Sequence, residues 1–445
     1  MLPLLPLSVW PARFVRWGVL ASFALAGVWL RLPLAPPLLP PLYVSRFVVL
    51  LPVLWTVVWW LAAGLPGMRE LRGDPHRRLW ALALLLLALW AFASQSWAFQ
   101  REPHPEVGAT AALQLGLAAL FALACACAGL PHRHILAALA GALAAHALIA
   151  GAQVANQGWL GLTALGEFRV TPESPGVSVV QAGDARWLRP YGLMPHPNML
   201  AGALLLGTLA AAALALSSSR WRRWFGTALT AAGLYALLLT FSRAAWLGLA
   251  AGGLALAAGL WRAGALRRAL PLALSLLAAG TLFAALYWPF VLARAGTGGE
   301  TTEQRSIADR VVYTQFALQA ISEFLLGGVG IGNFPWRASY YLMFVGFDLR
   351  GDNVHNVYLS AWAELGTVGL GLLIVALVAG TWAAVRALQA QPTVERAALL
   401  AGFAALSVVG LFDHYPWTIL HFQAAWWGLL ALAGAPSVTL EASKQ

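Results

Sequence analysis

Residues 351–366 read Gly-Asp-Asn-Val-His-Asn-Val-Tyr-Leu-Ser-Ala-Trp-Ala-Glu-Leu-Gly, and the chain then continues without a charge to Val385. A polar lip carrying one histidine, His355, leads straight into an apolar run. A run near 20 apolar residues crosses a hydrocarbon core of about 30 Å at 1.5 Å per residue. The segment therefore reads as a membrane helix entered at His355, with Glu364 already inside it. Glu364 follows His355 by nine residues, about half a turn around a helix, so it faces away and reads as a tie to neighbouring helices.

The same pattern recurs along the chain. Its 445 residues are 60% hydrophobic and 10% charged, with mean hydropathy +0.72, whereas soluble domains carry about 25% charge. Apolar runs lie near 14–32, 45–65, 78–98, 108–130, 133–152, 197–217, 224–241, 244–261, 269–292, 356–385, 396–412 and 416–435. The expectation is an all-α polytopic protein, one transmembrane domain over 1–445 with twelve spans and both termini on one side. A β-barrel would instead alternate apolar and polar residues in short segments. Arg13 and Arg16 precede the first run and no small-residue cleavage site follows, which reads as a retained first helix. Cys125 and Cys127, the only cysteines, are two apart on a helix, face different ways and read as small core residues.

The net charge of +11 comes almost wholly from arginine: 27 of the 28 basic residues. They do not form a nucleic-acid patch, because most sit in short loops between spans. Alternate short loops collect fifteen arginines, among them Arg69, Arg72, Arg77, Arg78, Arg220, Arg222 and Arg223. The short loops opposite hold Arg31, Arg46, Arg101 and Arg243. The positive-inside rule then places both termini, including Lys444, in the cytoplasm.

Two long loops face outward on this threading, residues 153–196 and 293–355. Loops of that length in a compact protein are usually functional or disordered, and the second, rich in Trp, Tyr and Phe, does not read as disordered. Within the second, Ile307, Val311, Phe316, Ala320, Ile321 and Phe324 recur at helical spacing, so Glu303 to Leu326 reads as an amphipathic helix on the outer surface. The run Gly-Gly-Val-Gly-Ile-Gly that follows gives turns; no strand precedes it and no Walker lysine follows, so it is not a nucleotide loop.

Threading alone gathers several polar residues at the outer face. They are Arg189 and His196 in the first loop, Arg243 after span seven, Arg305 and Arg310 in the second loop, His355 at its end, and Asp413 with His414 after span eleven. Each also has a structural reading: Arg243 as a residue snorkelling to head groups, Arg305 as a solvated helix face, Asn198 as a helix cap after His196, and Asp413 and His414 as hairpin spacers. Taken together, arginines with a histidine and no paired carboxylates suit a phosphate-bearing ligand, since arginine pairs bidentately and stays charged. Histidine accepts a proton near neutral pH. No Asp-X-Asp motif is present to hold Mg²⁺, so neither a metal nor another cofactor is expected. No ATP or nucleotide sugar exists outside the cytoplasm, which leaves a membrane-embedded lipid diphosphate as the activated donor.

The ordered segments resemble the O-antigen ligase and polymerase superfamily of bacterial inner membranes. Arg189-Pro-Tyr-Gly-Leu193 fits its Arg-x3-Leu motif, and Thr240-Phe-Ser-Arg-Ala its Thr-x-Ser-Arg segment. His355 to Gly366 fits His-x10-Gly, and Arg310-Val-Val-Tyr with Leu-Gly-Gly-Val-Gly-Ile-Gly-Asn-Phe fits the segment between. The resemblance implies a GT-C-like bundle and a metal-independent inverting glycosyltransferase. Its donor would be a glycan on undecaprenyl diphosphate and its acceptor a hydroxyl of a glycolipid or glycan. Residues matching Arg189 and Arg310, or Arg305 on the same helix, would hold the diphosphate, with Arg243 and His196 nearby. His355 would take the acceptor proton, and Asn356 would orient it. A ligase uses the lipid A core as acceptor; a polymerase uses a second lipid-linked repeat. The contrasting class is a small-anion, bicarbonate-like transporter, which would show mid-membrane charges and internal repeats.

Overall fold

The computed structural model describes residues 10–31, 47–98, 106–216, 220–294, 301–345 and 352–436. Arg46, Arg101 and Lys444, counted above among the charges, lie outside them, as does the side chain of Arg305. In chain order the elements are α1 (Trp10–Ala24), α2 (Leu50–Ala62), α3 (Met68–Gly73), α4 (Pro75–Ala93), α5 (Glu106–Cys127) and α6 (His132–Asn156). A hairpin of β1 (Val179–Ala182) and β2 (Ala185–Leu188) precedes α7 (Pro197–Ala215), α8 (Arg220–Leu239), α9 (Arg243–Arg262) and α10 (Leu270–Arg294). Then come α11 (Thr301–Glu323), α12 (Phe334–Val345), α13 (Val357–Ala390), α14 (Val394–Val409), α15 (Tyr415–Thr418) and α16 (Leu420–Gly434).

Every expected span falls on a helix, and the protein is a mostly helical polytopic membrane protein. By length and composition, however, seven described helices can cross a membrane rather than twelve: α4, α5, α6, α7, α9, α10 and α13. Helices α1, α2, α14 and α16 have 15, 13, 16 and 15 residues, about 20–24 Å at 1.5 Å per residue. Helix α8 has 20 residues but opens Arg-Trp-Arg-Arg. An apolar run in sequence counts flanking loop as helix: the run expected to 32 stops being helical at Ala24 and bends toward a bridge between Arg31 and Phe47.

Helices α7 and α16 are the most enclosed, with 83% of the apolar stretch of α7 buried and α16 buried from Leu420 to Ala433, and among the seven long apolar helices α10 is the least buried at 11%. Close approach between α9 and α14 depends on small residues. A Cβ on Gly248 or Gly252 would press on the carbonyls of Ala405 and Ala401, the small-residue spacing that lets membrane helices touch. At the end of the bundle remote from the long loops, arginines cap helix C-termini. Arg77 Nη2 donates to the Ala126 carbonyl (3.1 Å), Arg16 Nε to Ala128 (3.2 Å) and Arg396 Nη2 to Ala435 (3.0 Å). These carbonyls have no partner inside their own helices.

The second long loop forms a small layer of its own. Tyr313, Phe316, Ala317, Ala320 and Ile321 on α11 pack on Phe334, Ala338, Tyr341 and Leu342 of α12 and on Ala363 of α13. The expected amphipathic helix is therefore present, but its buried face is narrower than its apolar spacing implied. Ile307 and Val311 are exposed. Beneath this layer α13 breaks at Gly366 (φ +66, ψ −171), a backbone region essentially reserved for glycine. The carbonyls released by the break are taken by the glycine-rich loop: Val329 N donates to Ala363 (2.9 Å) and Gly330 N to Glu364 (2.8 Å). Glu364 is buried and accepts from Trp417 Nε1 at 3.0 Å, the inter-helix tie expected of it.

Candidate active site

The centre assembles from four chain segments at one end of the bundle. Arg189 leaves β2 and is buried. Its Nε donates to the Thr240 carbonyl (2.5 Å) and its Nη2 to Asn198 Oδ1 (2.6 Å). Asn198 Nδ2 donates in turn to Asp413 Oδ2 (2.9 Å). The other carboxylate oxygen of Asp413 accepts from the His414 backbone (2.9 Å). His355 stands edge-on to His414, ring centroids 5.3 Å apart. Its Nδ1 is buried with no hydrogen-bond partner among the described residues.

The arginines are drawn in by a turn. Thr240 to Ser242 joins α8 to α9, with Phe241 in the left-handed region at φ +50, uncommon for a bulky residue. Its ring packs against Phe283, Tyr287 and Phe290 of α10 and Trp246 of α9, which holds the conformation in place. The turn offers consecutive carbonyls: Thr240 takes Arg189, and Phe241 takes Arg294 Nε at 2.9 Å. Arg243, first residue of α9, donates Nη1 to the Arg294 carbonyl (3.2 Å). Arg310, on α11, lies close enough to Asp413 and Arg243 for their charges to act on it. On its outer side it lines a groove of about 350 Å³ with Ile307, Val311, Thr314 and Gln315.

Burial and charge set the protonation states. Burial pushes the His355 imidazole down to about 4, with His414 and Arg310 adding to the shift and Asp413 opposing it. His355 is thus neutral at pH 7. Burial lowers Arg189 to about 10, assisted by Arg310 and Arg243, and it remains a cation. Burial alone would raise the Asp413 carboxyl; the neighbouring His414, His355 and His196 imidazoles, in their protonated forms, and the Arg310 cation reverse this and hold it below the usual carboxylate range. His355, Asp413 and His414 each bring a ligand atom within 4.8 Å of the others, a spacing that would admit a cation. Both Asp413 oxygens and His414 Nδ1 (to Thr418 Oγ1, 2.8 Å) already have protein partners. Arg310 and Arg189 also place positive charge beside the carboxylate. The group suits an anion with an adjacent proton acceptor better than a metal.

Of the residues singled out by sequence, Arg189, Arg243, Arg310 and His355 converge here. His196 lies near but is fully engaged: Nδ1 accepts from Asn198 N (3.1 Å), capping α7, and Nε2 pairs with Ser178 Oγ (2.9 Å). Asn356 does not reach the His355 ring through a resolved hydrogen bond. Its Oδ1 caps α13, accepting from Tyr358 N and Leu359 N (2.9 Å each), and its Nδ2 donates to the Leu411 carbonyl. Arg305 lies in the early turns of α11. The sequence gathers Asp413 and His414 at this end with a hairpin-spacer reading beside the functional one, reads Asn198 as a helix cap, and does not single out Arg294. The available signal was position, since each lies at a span end on the same side.

Fold and site together define a polytopic helical membrane protein with a cationic, histidine-bearing centre at one end of its bundle. Residues 228–374 match the model of the O-antigen ligase family, so the chain carries an O-antigen ligase domain from within α8 to the middle of α13. No curated protein matches the chain. The family makes it a glycosyltransferase-type enzyme acting, in general terms, on lipid-linked glycans. The matched region contains Arg243, Arg294, Arg310, His355 and Gly366; Arg189, Asn198 and Asp413 join it through the fold.

Proposed function

We propose that the protein is a metal-independent inverting glycosyltransferase that moves a glycan from undecaprenyl diphosphate to an acceptor hydroxyl. The acceptor in this reading is the lipid A core, making the enzyme an O-antigen ligase. The observation that carries it is the join between halves of the site: Arg189 is tied through Asn198 to Asp413, which lies beside His355, whose Nδ1 has no hydrogen-bond partner among the described residues. Arginines for a diphosphate and a base for a hydroxyl therefore share one centre.

The acceptor oxygen attacks the anomeric carbon of the donor sugar as its bond to the diphosphate oxygen breaks. One direct displacement inverts the anomeric configuration. The acceptor proton passes to neutral His355, and Asp413 offsets the imidazolium charge. The leaving diphosphate gains one negative charge, stabilised by charge-assisted hydrogen bonds from Arg189 and Arg310. Binding the anionic donor raises the His355 pKa from its depressed value, which improves it as a base at the moment it is needed.

In this reading the chain threads the bilayer twelve times, the shorter helices completing their crossings with flanking residues. Both termini are cytoplasmic and the centre faces the periplasm of the inner membrane. The charge bias of the short loops supports this orientation. Single-cysteine labelling in a Cys-free background tests it: an impermeant probe should label position 300 and spare position 221 in intact cells, and the reverse would refute the threading. Reconstitution tests the chemistry. Purified protein given a defined polymer on undecaprenyl diphosphate and lipid A core should join them with chelator present. Polymer extension on a second lipid-linked repeat, with no transfer to core, would make the enzyme a polymerase. Neither product would remove the transferase reading.

A further inference from the structure

No acidic residue occurs between Asp184 and Glu300, the stretch that carries α7 to α10. Helices α8 and α9 meet at the turn beside the candidate site. The start of α8, the end of α9 and the start of α10 therefore lie at the opposite end of the bundle, about 30 Å away for a helix of 20 residues. The four most exposed Trp, Tyr or Phe side chains among the described residues all lie there: Trp221 (78%), Trp261 (70%), Trp224 (63%) and Phe225 (60%). Trp221, Trp224 and Phe225 share one face of α8, and Trp261 continues the exposed stripe of Leu247 and Leu254 on α9. Indole rings in such places sit at the level of lipid head groups.

Arg222, Arg223, Arg262, Arg267 and Arg268 stand among these rings, all exposed. Their side chains make no hydrogen bond or ion pair with the described residues. Other arginines at this end are engaged: Arg16, Arg77 and Arg396 cap helix carbonyls. The acids Glu70, Asp74 and Glu395 belong to α3 and to the starts of α4 and α14. Between α9 and α10 the chain turns at Gly264 (φ +64), and Ala265 N donates to the Leu260 carbonyl (2.8 Å). Beside this turn runs a groove of about 500 Å³ lined by Leu266, Arg267, Ala269, Leu270 and Ala273, one cation and four apolar side chains.

We propose that this end of α8–α10 binds an anionic phospholipid. Arg262, Arg267 and Arg268 take its phosphate, its chain lies along the groove, and Arg222 and Arg223 add to the attracting field. Charge complementarity selects the occupant. A zwitterionic lipid brings one ammonium for each phosphate and balances none of the five cations, whereas an anionic lipid does. A free phosphate would leave the apolar walls uncovered. The lipid also supplies packing to α10, the least buried of the seven long apolar helices. The inference concerns a surface remote from the candidate active site and does not depend on the donor chemistry.

Purified full-length protein in detergent tests this, titrated with phosphatidylglycerol or phosphatidylcholine of the same chain length. Native mass spectrometry reads binding and thermal unfolding reads stability. Wild type should bind phosphatidylglycerol at least about tenfold more tightly and unfold at higher temperature with it. Each arginine near an anionic lipid is worth about fivefold in affinity, so the triple variant Arg262→Gln, Arg267→Gln, Arg268→Gln should lose the preference. The control Arg69→Gln, Arg72→Gln removes two exposed arginines of α3 at the same end and should keep it. Equal binding of both lipids to wild type overturns the proposal, as does a preference that survives in the triple variant. A preference lost equally in the α3 control would make the effect one of diffuse charge, and equal stabilisation by inorganic phosphate would make the ligand a soluble anion; either result also overturns it. If the triple variant does not fold, Ala273→Trp decides. It fills the groove and keeps every arginine, so it should weaken phosphatidylglycerol binding, and full retention overturns the proposal.

Discussion

Two helices of this protein begin at a histidine beside an asparagine, and the pairs divide their labour in opposite ways. Before α7, His196 is the cap: its Nδ1 takes the Asn198 backbone N–H, and this frees the Asn198 side chain to bridge Arg189 and Asp413. Before α13, Asn356 is the cap: its Oδ1 takes two backbone N–H groups, and His355 Nδ1, beside Asp413, has no hydrogen-bond partner among the described residues. Both histidines are half-buried, and desolvation holds both imidazoles below their ordinary value, so both are neutral at pH 7. Asn198 bonds to the Asp413 carboxylate and a His355 ring nitrogen lies within 4.8 Å of it, so Asp413 is where the two helix starts come together. Residue type at a helix start therefore does not reveal which member of a pair works and which supports; the remaining hydrogen bonds do.

If the division is right, substitutions at the two histidines should diverge most. His355→Ala should lose about 10²–10⁴-fold in turnover with folding and donor binding intact, measured on purified enzyme with a defined donor. His355→Gln should not rescue, since an amide cannot take the proton at neutral pH; substantial activity in that variant would remove the base role. Arg189→Ala and Arg310→Ala should each weaken donor use more than about tenfold, with Arg→Lys only partly restoring it. Full activity in both alanine variants would sink the diphosphate site.

A smaller effect is expected at the caps. His196→Ala and Asn356→Ala should each cost about 1 kcal/mol of stability, read as a lowered unfolding temperature. His196→Asn should recover most of that loss, because asparagine also caps.

The pH response follows from the sign of the His355 shift. Its folded value, about 4, lies below the ordinary 6.5. The neutral form therefore survives as pH falls through 6.5 and is lost toward 4. The acid limb of kcat/KM should lie between those values and vanish in His355→Ala. His196 is depressed to about 3, chiefly by burial and then by Arg189. Its contribution to stability is likewise full above 6.5 and declines as pH falls toward 3. An acid limb above 6.5 would show that another group controls the rate.

The helices were legible because a membrane helix must carry its apolar character in its own sequence; all twelve runs became helices. Their crossing lengths were less legible, since hydropathy does not mark where residues 25–31 leave the helix. Arg189, Arg243, Arg310 and His355 were legible as polar residues placed at one end by threading. Asp413 gained its role through contact with Asn198, 215 positions earlier, which no local pattern announces. Arg294 ends an apolar run and looks like any flanking charge until Phe241 adopts φ +50 and turns its carbonyl toward it. The hairpin β1–β2 and helix α12 lie within the long loops, where periodicity is short and mixed.

The break at Gly366 turns the start of α13 into a ruler. Nine helical residues, Val357 to Leu365, separate the fixed kink from the cap, a rod of about 13 Å. One end is locked by the glycine-rich loop, so the length of the rod sets the height of His355 and its twist sets the ring's bearing. Exchanging a side chain along the rod changes neither quantity. Adding or removing one residue would shift the histidine by about 1.5 Å and swing it by about 100°. What the sequence must preserve between His355 and Gly366 is therefore a count of residues more than their identities.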